Sequence, residues 1–167
     1  MGENLAVEGR LAVRVPMQWT ADPGAGFSPA DPATFPRPLT EGDFGPQRVN
    51  VHDQSLDPDS LLNWFRRLVD AYRACPELPW GTYQVLDPGP DAAPLLAHRC
   101  DIDGVAIVAV HNFAGRKATT TLALDGLAGA VLYEVFPAAG ATAQVGDDGR
   151  LAVQLPPYGY RWLRSAQ

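Results

Sequence analysis

Residues 95–112 read Leu95-Leu96-Ala97-His98-Arg99-Cys100-Asp101-Ile102-Asp103-Gly104-Val105-Ala106-Ile107-Val108-Ala109-Val110-His111-Asn112. An Asp-Gly pair between two apolar-rich runs is a strong hairpin signal, because both residues tolerate the positive φ of a tight turn. The stretch therefore predicts strands over 95–101 and 105–112. Further two-residue periodicity on either side predicts strands over 82–86, 118–124, 130–136, 150–155 and 159–164. Asp148-Gly149 reads as a second hairpin, Asn112 to Gly115 as a turn, and 87–94 as a loop. Seven short strands with turns between them imply a mainly β fold, an antiparallel β-sandwich or barrel over 81–167.

Upstream the period changes to that of a helix. Asp57 suits an N-cap and Pro58 suits the first helical position. Leu61, Leu62, Phe65, Leu68, Val69 and Tyr72 fall on one apolar face, and Pro76 ends the run. One helix over 57–74 is expected. Residues 1–56 carry seven prolines from Pro16 to Pro46 and read as a long loop. So long a loop in a compact domain is usually functional or rests on something else.

The chain has 167 residues, enough for a sizeable core and too few for an eight-stranded α/β barrel, which needs about 200 or more. A net charge of −6 argues against nucleic acid and against an anionic membrane surface as partners. No apolar run reaches the ~20 residues of a spanning helix, and the start lacks the pattern of a secretory signal. Cys75 and Cys100 read as buried thiols of a reducing, cytoplasmic protein. His52, His98 and His111 are scattered without metal-ligand spacing. Asp101-Ile102-Asp103-Gly104 lacks the later ligands of a calcium loop. No Gly-rich phosphate loop is present. No metal and no cofactor are expected.

The most specific stretch is Arg14-Val15-Pro16-Met17-Gln18-Trp19, followed by Gly24-Ala25-Gly26-Phe27-Ser28. Val49-Asn50-Val51, Ser60-Leu61-Leu62-Asn63-Trp64 and Pro157-Tyr158-Gly159-Tyr160-Arg161-Trp162-Leu163 come after it in that order. Together these motifs resemble the C-terminal portion of glycoside hydrolase family 13, nearest the trehalose synthase, oligo-1,6-glucosidase and α-amylase-like members. The resemblance covers essentially the whole chain. It implies that 1–80 is the end of a (β/α)8 barrel, with a strand-8 loop over 1–56, a last helix over 57–74 and a connector. The all-β C-terminal domain would then occupy 81–167. Met1-Gly2-Glu3-Asn4 also looks like residues that follow the last barrel strand.

The family's chemistry is retaining cleavage or transfer, which needs two carboxylates about 5–5.5 Å apart. Those carboxylates come from earlier barrel strands, so no residue here inherits their roles and the chain alone is expected not to catalyse. The resemblance implies a sugar-binding role for Arg14, whose guanidinium suits hydroxyl groups, with Gln18 and Trp19 lining the same mouth. Val15 and Thr20 depart from the usual Thr and Asp or Ser. Trp64, Phe65, Trp80 and Trp162 read as packing residues. The implied partner is an α-glucoside such as maltose in the complete enzyme, and possibly the missing barrel. The expected function is that of a C-terminal fragment of an α-glucoside-active enzyme. Two alternatives stand beside it. One is a stand-alone carbohydrate-binding sandwich, against which no row of exposed aromatics is evident along the strands. The other is a complementing subunit for a split barrel.

Overall fold

A computed structural model describes residues 13–89 and 94–166. Residues 1–4, read above as following a barrel strand, lie outside these. The chain divides between Arg66 and Arg67 into two compact units.

In the first unit, the proline-rich stretch forms short turns of tight helix at Pro23–Gly26, Pro32–Thr34 and Gly42–Phe44. Proline at the first position of a turn costs nothing, because its missing N–H would be unpaired there anyway. Two α-helices follow where one was expected. Helix α1 is Val51–Leu56, capped by Asn50, whose side chain accepts from the Asp53 amide at 2.8 Å. Helix α2 is Leu61–Ala74. Asp57 does not cap it. Asp57 closes α1 with extended backbone, and its carboxylate accepts from the Asp59 amide in a local turn. The cap of α2 is Ser60, whose Oγ accepts from the Asn63 amide at 3.2 Å. A serine three residues before a polar side chain meets the same requirement as an aspartate, so the local signals compete.

The second unit is mainly β. After a short helix α3, Glu77–Trp80, come β1 Thr82–Leu86, β2 Leu95–Ile102, β3 Val105–Asn112, β4 Ala118–Ala123, β5 Val131–Phe136, β6 Thr142–Gln144, β7 Arg150–Leu155 and β8 Tyr160–Ser165. The strands build an antiparallel six-stranded sheet in the order β1-β2-β3-β8-β5-β6 and a two-stranded sheet β4-β7. Asp103 and Gly104 turn between β2 and β3 with φ of 50° and 80°. Both central residues thus take the positive φ that hairpin turns require.

Asp148-Gly149 differs from its expectation. It turns the chain, but β6 pairs with β5 and β7 with β4, so the turn carries the chain from one sheet to the other. The Gly149 carbonyl accepts from the Leu124 amide at 2.8 Å, anchoring the crossing. The short β6 is an addition to the seven expected strands. Its sequence, Thr142-Ala143-Gln144, has no apolar alternation to reveal it.

The core lies between the sheets. Val108, Val110, Leu132 and Leu163 of the large sheet meet Leu122, Leu151, Val153 and Leu155 of the small one. Burial of a Val or Leu side chain contributes about 1.5–3 kcal/mol, so this layer dominates the stability of the unit. The opposite face of the large sheet carries a second cluster of Cys75, Cys100 and Ile107, with Leu78 and Trp162 packed against it. Glu77 is buried at 1% exposure beside it, and its Oε1 accepts from Arg164 at 2.6 and 3.0 Å. Burial without a positive neighbour would be prohibitive for that carboxylate.

That same face also carries a row of rings. Tyr83, His98, His111, Tyr160, Phe136 and Trp162 contact one another in succession, with centroids 5.2–6.3 Å apart. Spacing along the sequence conceals this row, because each ring comes from a different strand or register. Trp162 packs as expected, against Phe136 and the second cluster. Trp80 and Phe65 do not, being 78% and 56% exposed.

Candidate functional site

The stretch 14–19 lies in the first unit, and its backbone is fixed by the start of α1. The Val51 and His52 amides donate to the Gln18 and Trp19 carbonyls, each at 3.0 Å. Those amides belong to the first turn of α1, where they lack partners inside the helix. The motif thus caps the helix from outside, and Asn50 caps it from within. Asn50 is buried, and its Nδ2 also donates to the Pro46 carbonyl at 2.9 Å and to Asp53 Oδ2 at 2.7 Å. The separate motifs 14–19 and 49–51 are one hydrogen-bonded assembly.

Gln18 turns inward. Its Nε2 donates to the carbonyls of Phe44 at 3.0 Å and Val49 at 2.6 Å. Two carbonyl partners fix which end of the amide is nitrogen. Oε1 is left buried without a partner. The side chain clamps the loop, with its oxygen available to a donor. Arg14 and Trp19 point to solvent, Trp19 at 48% exposure. Arg14 makes no hydrogen bond or ion pair to another described residue, so its donors are free.

The loop beneath Trp19 has an unusual backbone. Gly24, Ala25 and Gly26 all take positive φ, at 73°, 56° and 66°. The Ala25 carbonyl accepts from both the Trp19 and Thr20 amides, at 2.8 and 3.2 Å. A Cβ on Gly26 would lie 2.9 Å from Thr20 Oγ1 and 3.2 Å from Trp19 Cβ. Glycine at that position permits the close approach that sets Trp19. Strain of this kind persists only where surrounding contacts overdetermine it.

On the other side of α1's first turn, His52 Nδ1 lies 3.0 Å from Asp53 Oδ1, with both side chains exposed. The hydrogen bond from Asn50, followed by that from His52, holds the Asp53 carboxyl below the ordinary carboxylate value. An apolar groove of about 670 Å³ runs along the unit, lined by Val15, Met17, Phe44, Leu61 and Phe65, among others. Among the described residues no group of three His, Cys, Asp or Glu could hold a metal ion. None of the described helices is long and apolar enough to cross a membrane.

Residues 104–164 match the model of the sucrose hydrolase-like C-terminal domain family. The chain is 30% identical over 174 aligned residues to the trehalose synthase of Pimelobacter sp. (strain R48). The chain is homologous to the C-terminal part of glycoside hydrolase family 13. The Pimelobacter alignment takes in 98% of this chain and 29% of that protein, so the chain spans under a third of its relative's length. The probable oligo-1,6-glucosidase 2 of Bacillus subtilis (strain 168) is 26% identical over 115 residues, or 69% of this chain and 19% of that one. In fold, the chain matches the trehalulose synthase MutB from Pseudomonas mesoacidophila MX-45 with a TM-score of 0.67 at 23% identity, covering 98% of this chain and 27% of that one.

The sequence motifs mark the assembly but not its inner connections. The role of Asn50 as the buried pivot was not anticipated. Its signal was the Asn three residues before an Asp at the head of a short helix. The network below it was also missed. There the Gln54 carbonyl accepts from Ser60 Oγ at 2.6 Å and from Asn63 Nδ2 at 2.9 Å, tying α1 to α2.

Proposed function

We propose that the chain supplies the strand-8 loop, the last barrel helix and the all-β C-terminal domain of an enzyme acting on an α-glucoside such as maltose. On this reading, residues 1–80 form the barrel end and 81–167 the C-terminal domain. Arg14 and Trp19 contact sugar, and Gln18 shapes the mouth from behind. The catalytic carboxylates come from the part of the enzyme that the relatives hold outside the shared region.

The observation that carries the proposal is the coupling of 14–19 to the first turn of α1. It fixes the backbone of Gln18 and Trp19 while the Trp19 indole and the Arg14 side chain stay exposed, Arg14 without a bond to another described residue. Hydrogen bonds from a charged donor to hydroxyls contribute about 1.5–3 kcal/mol each. An indole face stacks on the apolar face of a pyranose ring. Both interactions suit a neutral polyol. Cys75 and Cys100, free and buried, support a reducing, cytoplasmic setting.

The test is an assay of the purified chain for glucose release from maltose and from p-nitrophenyl α-glucoside. No turnover is expected, and clear turnover would overturn the assignment of catalysis to another part of the enzyme.

A further inference from the structure

We propose that the stacked His98–His111 pair is a proton-sensitive seam in the six-stranded sheet, which loosens when the surroundings turn acidic. The inference is independent of the sugar-binding reading. His98 on β2 and His111 on β3 are diagonal neighbours, since His98 faces Ala109 and His111 faces Leu96 across the ladder. Their rings lie 6.1 Å apart and within 6° of parallel. Tyr83 of β1 covers the outer side of His98, at 5.3 Å. Tyr160 of β8 and Phe113 cover His111, each at 6.3 Å. The seam therefore joins four adjacent strands through rings alone.

Three features make the neutral form the one this site accepts. First, Nδ1 of His98 is buried with no partner. In neutral imidazole this atom can be an unfilled acceptor, but in the cation it must be an N–H donor buried without an acceptor. Second, two cations at this ring separation repel through a half-buried medium, where screening by water is weak. Third, among the described residues no carboxylate faces the pair. Cys100, on the same face of β2, is a thiol in the neighbouring apolar cluster. Glu77 of α3 and Arg164 of β8 share the face but are committed to each other. Arg99 and Asp101, beside His98 in sequence, pair on the opposite face. Arg161 of β8 pairs with Glu134 of β5. Burial lowers the pKa of both histidines, and for His111 the neighbouring His98 lowers it further.

The sign follows from proton linkage. A histidine whose folded pKa lies below its unfolded value binds fewer protons in the native state, so stability falls as pH drops through the unfolded value of about 6.5. Carboxylates titrate mostly below this window, so the loss belongs to the imidazoles.

The experiment is an NMR titration of the imidazole Cε1 protons in the full chain between about pH 8 and about pH 5, the range in which histidine charges. Its reference is the same chain unfolded in urea. His98 and His111 are expected to titrate below their unfolded values. In a His98→Gln variant, His111 is expected to move back toward its own unfolded value. The urea midpoint of the wild-type chain should fall over the same range, and the fall should be smaller in His111→Phe. Either histidine titrating at or above its unfolded value in the wild type would overturn the proposal, whether or not the variants fold. So would an unmoved His111 in a folded His98→Gln chain.

Discussion

The backbone amide of Val51 donates to the carbonyl of Gln18, joining the first turn of α1 to a loop far upstream in the sequence. The Gln18 side chain reinforces the same junction by donating to Val49 at 2.6 Å. The two motifs thereby hold each other, and removing either should release both.

Gln18→Ala should test that coupling. It removes two donated bonds and strands the Phe44 and Val49 carbonyls. A loss of about 0.5–1.5 kcal/mol is expected, the usual net worth of a hydrogen bond, because water can reach the Phe44 carbonyl and the Val49 carbonyl is only part-buried. Hydrogen exchange should show faster exchange at Val51 and His52, with the strands of the second unit unaffected. Unchanged protection at Val51 would refute the clamp.

Gly26→Ala should be costly although it adds a single methyl group. The position has a φ of 66°, and the new Cβ would crowd Thr20 and Trp19. Left-handed backbone alone costs about 1–2 kcal/mol for a residue with a Cβ. Near-ultraviolet circular dichroism and Trp19 fluorescence should report a displaced indole. Gly89 is the control: it also has positive φ but has nothing within reach of a Cβ.

The two candidate caps of α2 can be separated by a pair of variants. Ser60→Ala should cost about 1 kcal/mol, as loss of an N-cap does. Asp57→Ala removes an exposed local turn and should cost much less. Urea denaturation of both variants decides the order, and a larger loss for Asp57→Ala would return the cap to Asp57.

The Glu77–Arg164 pair should behave as a buried ion pair. Arg164→Met leaves the Glu77 carboxylate buried and uncompensated, at about 3–5 kcal/mol. Replacing both residues by methionine should recover much of that loss. Chemical denaturation of the two single variants and the double variant reads the cycle. Simple additivity of the single losses would contradict pairing.

Much of the second unit was legible because its strands bury one face and wet the other. Leu151, Val153 and Leu155 alternate with exposed neighbours, so the period is plain in the sequence. The strand β3 is buried on nearly every residue, and there the Asp103-Gly104 turn supplied the boundary that periodicity could not. What escaped was pairing at a distance. Asp148-Gly149 has the same dipeptide as a hairpin turn, yet its flanking strands belong to different sheets. A local signal encodes a change of direction, not the identity of the partner. In the first unit Arg14, Gln18 and Trp19 could be picked out by motif. The inward turn of Gln18 could not, because its partners Phe44 and Val49 are ordinary residues that contribute only their carbonyls.

Helix α2 carries the boundary between the two units within its own length. The chain therefore offers no loop at which to part them. A cut between Arg66 and Arg67 would leave about two helical turns on each side, and isolated helices shorter than about 12–15 residues are marginal in water. Anyone dissecting this protein should place the break after Ala74 instead, and keep the helix whole with the first unit, whose 14–19 and 49–51 segments hold each other.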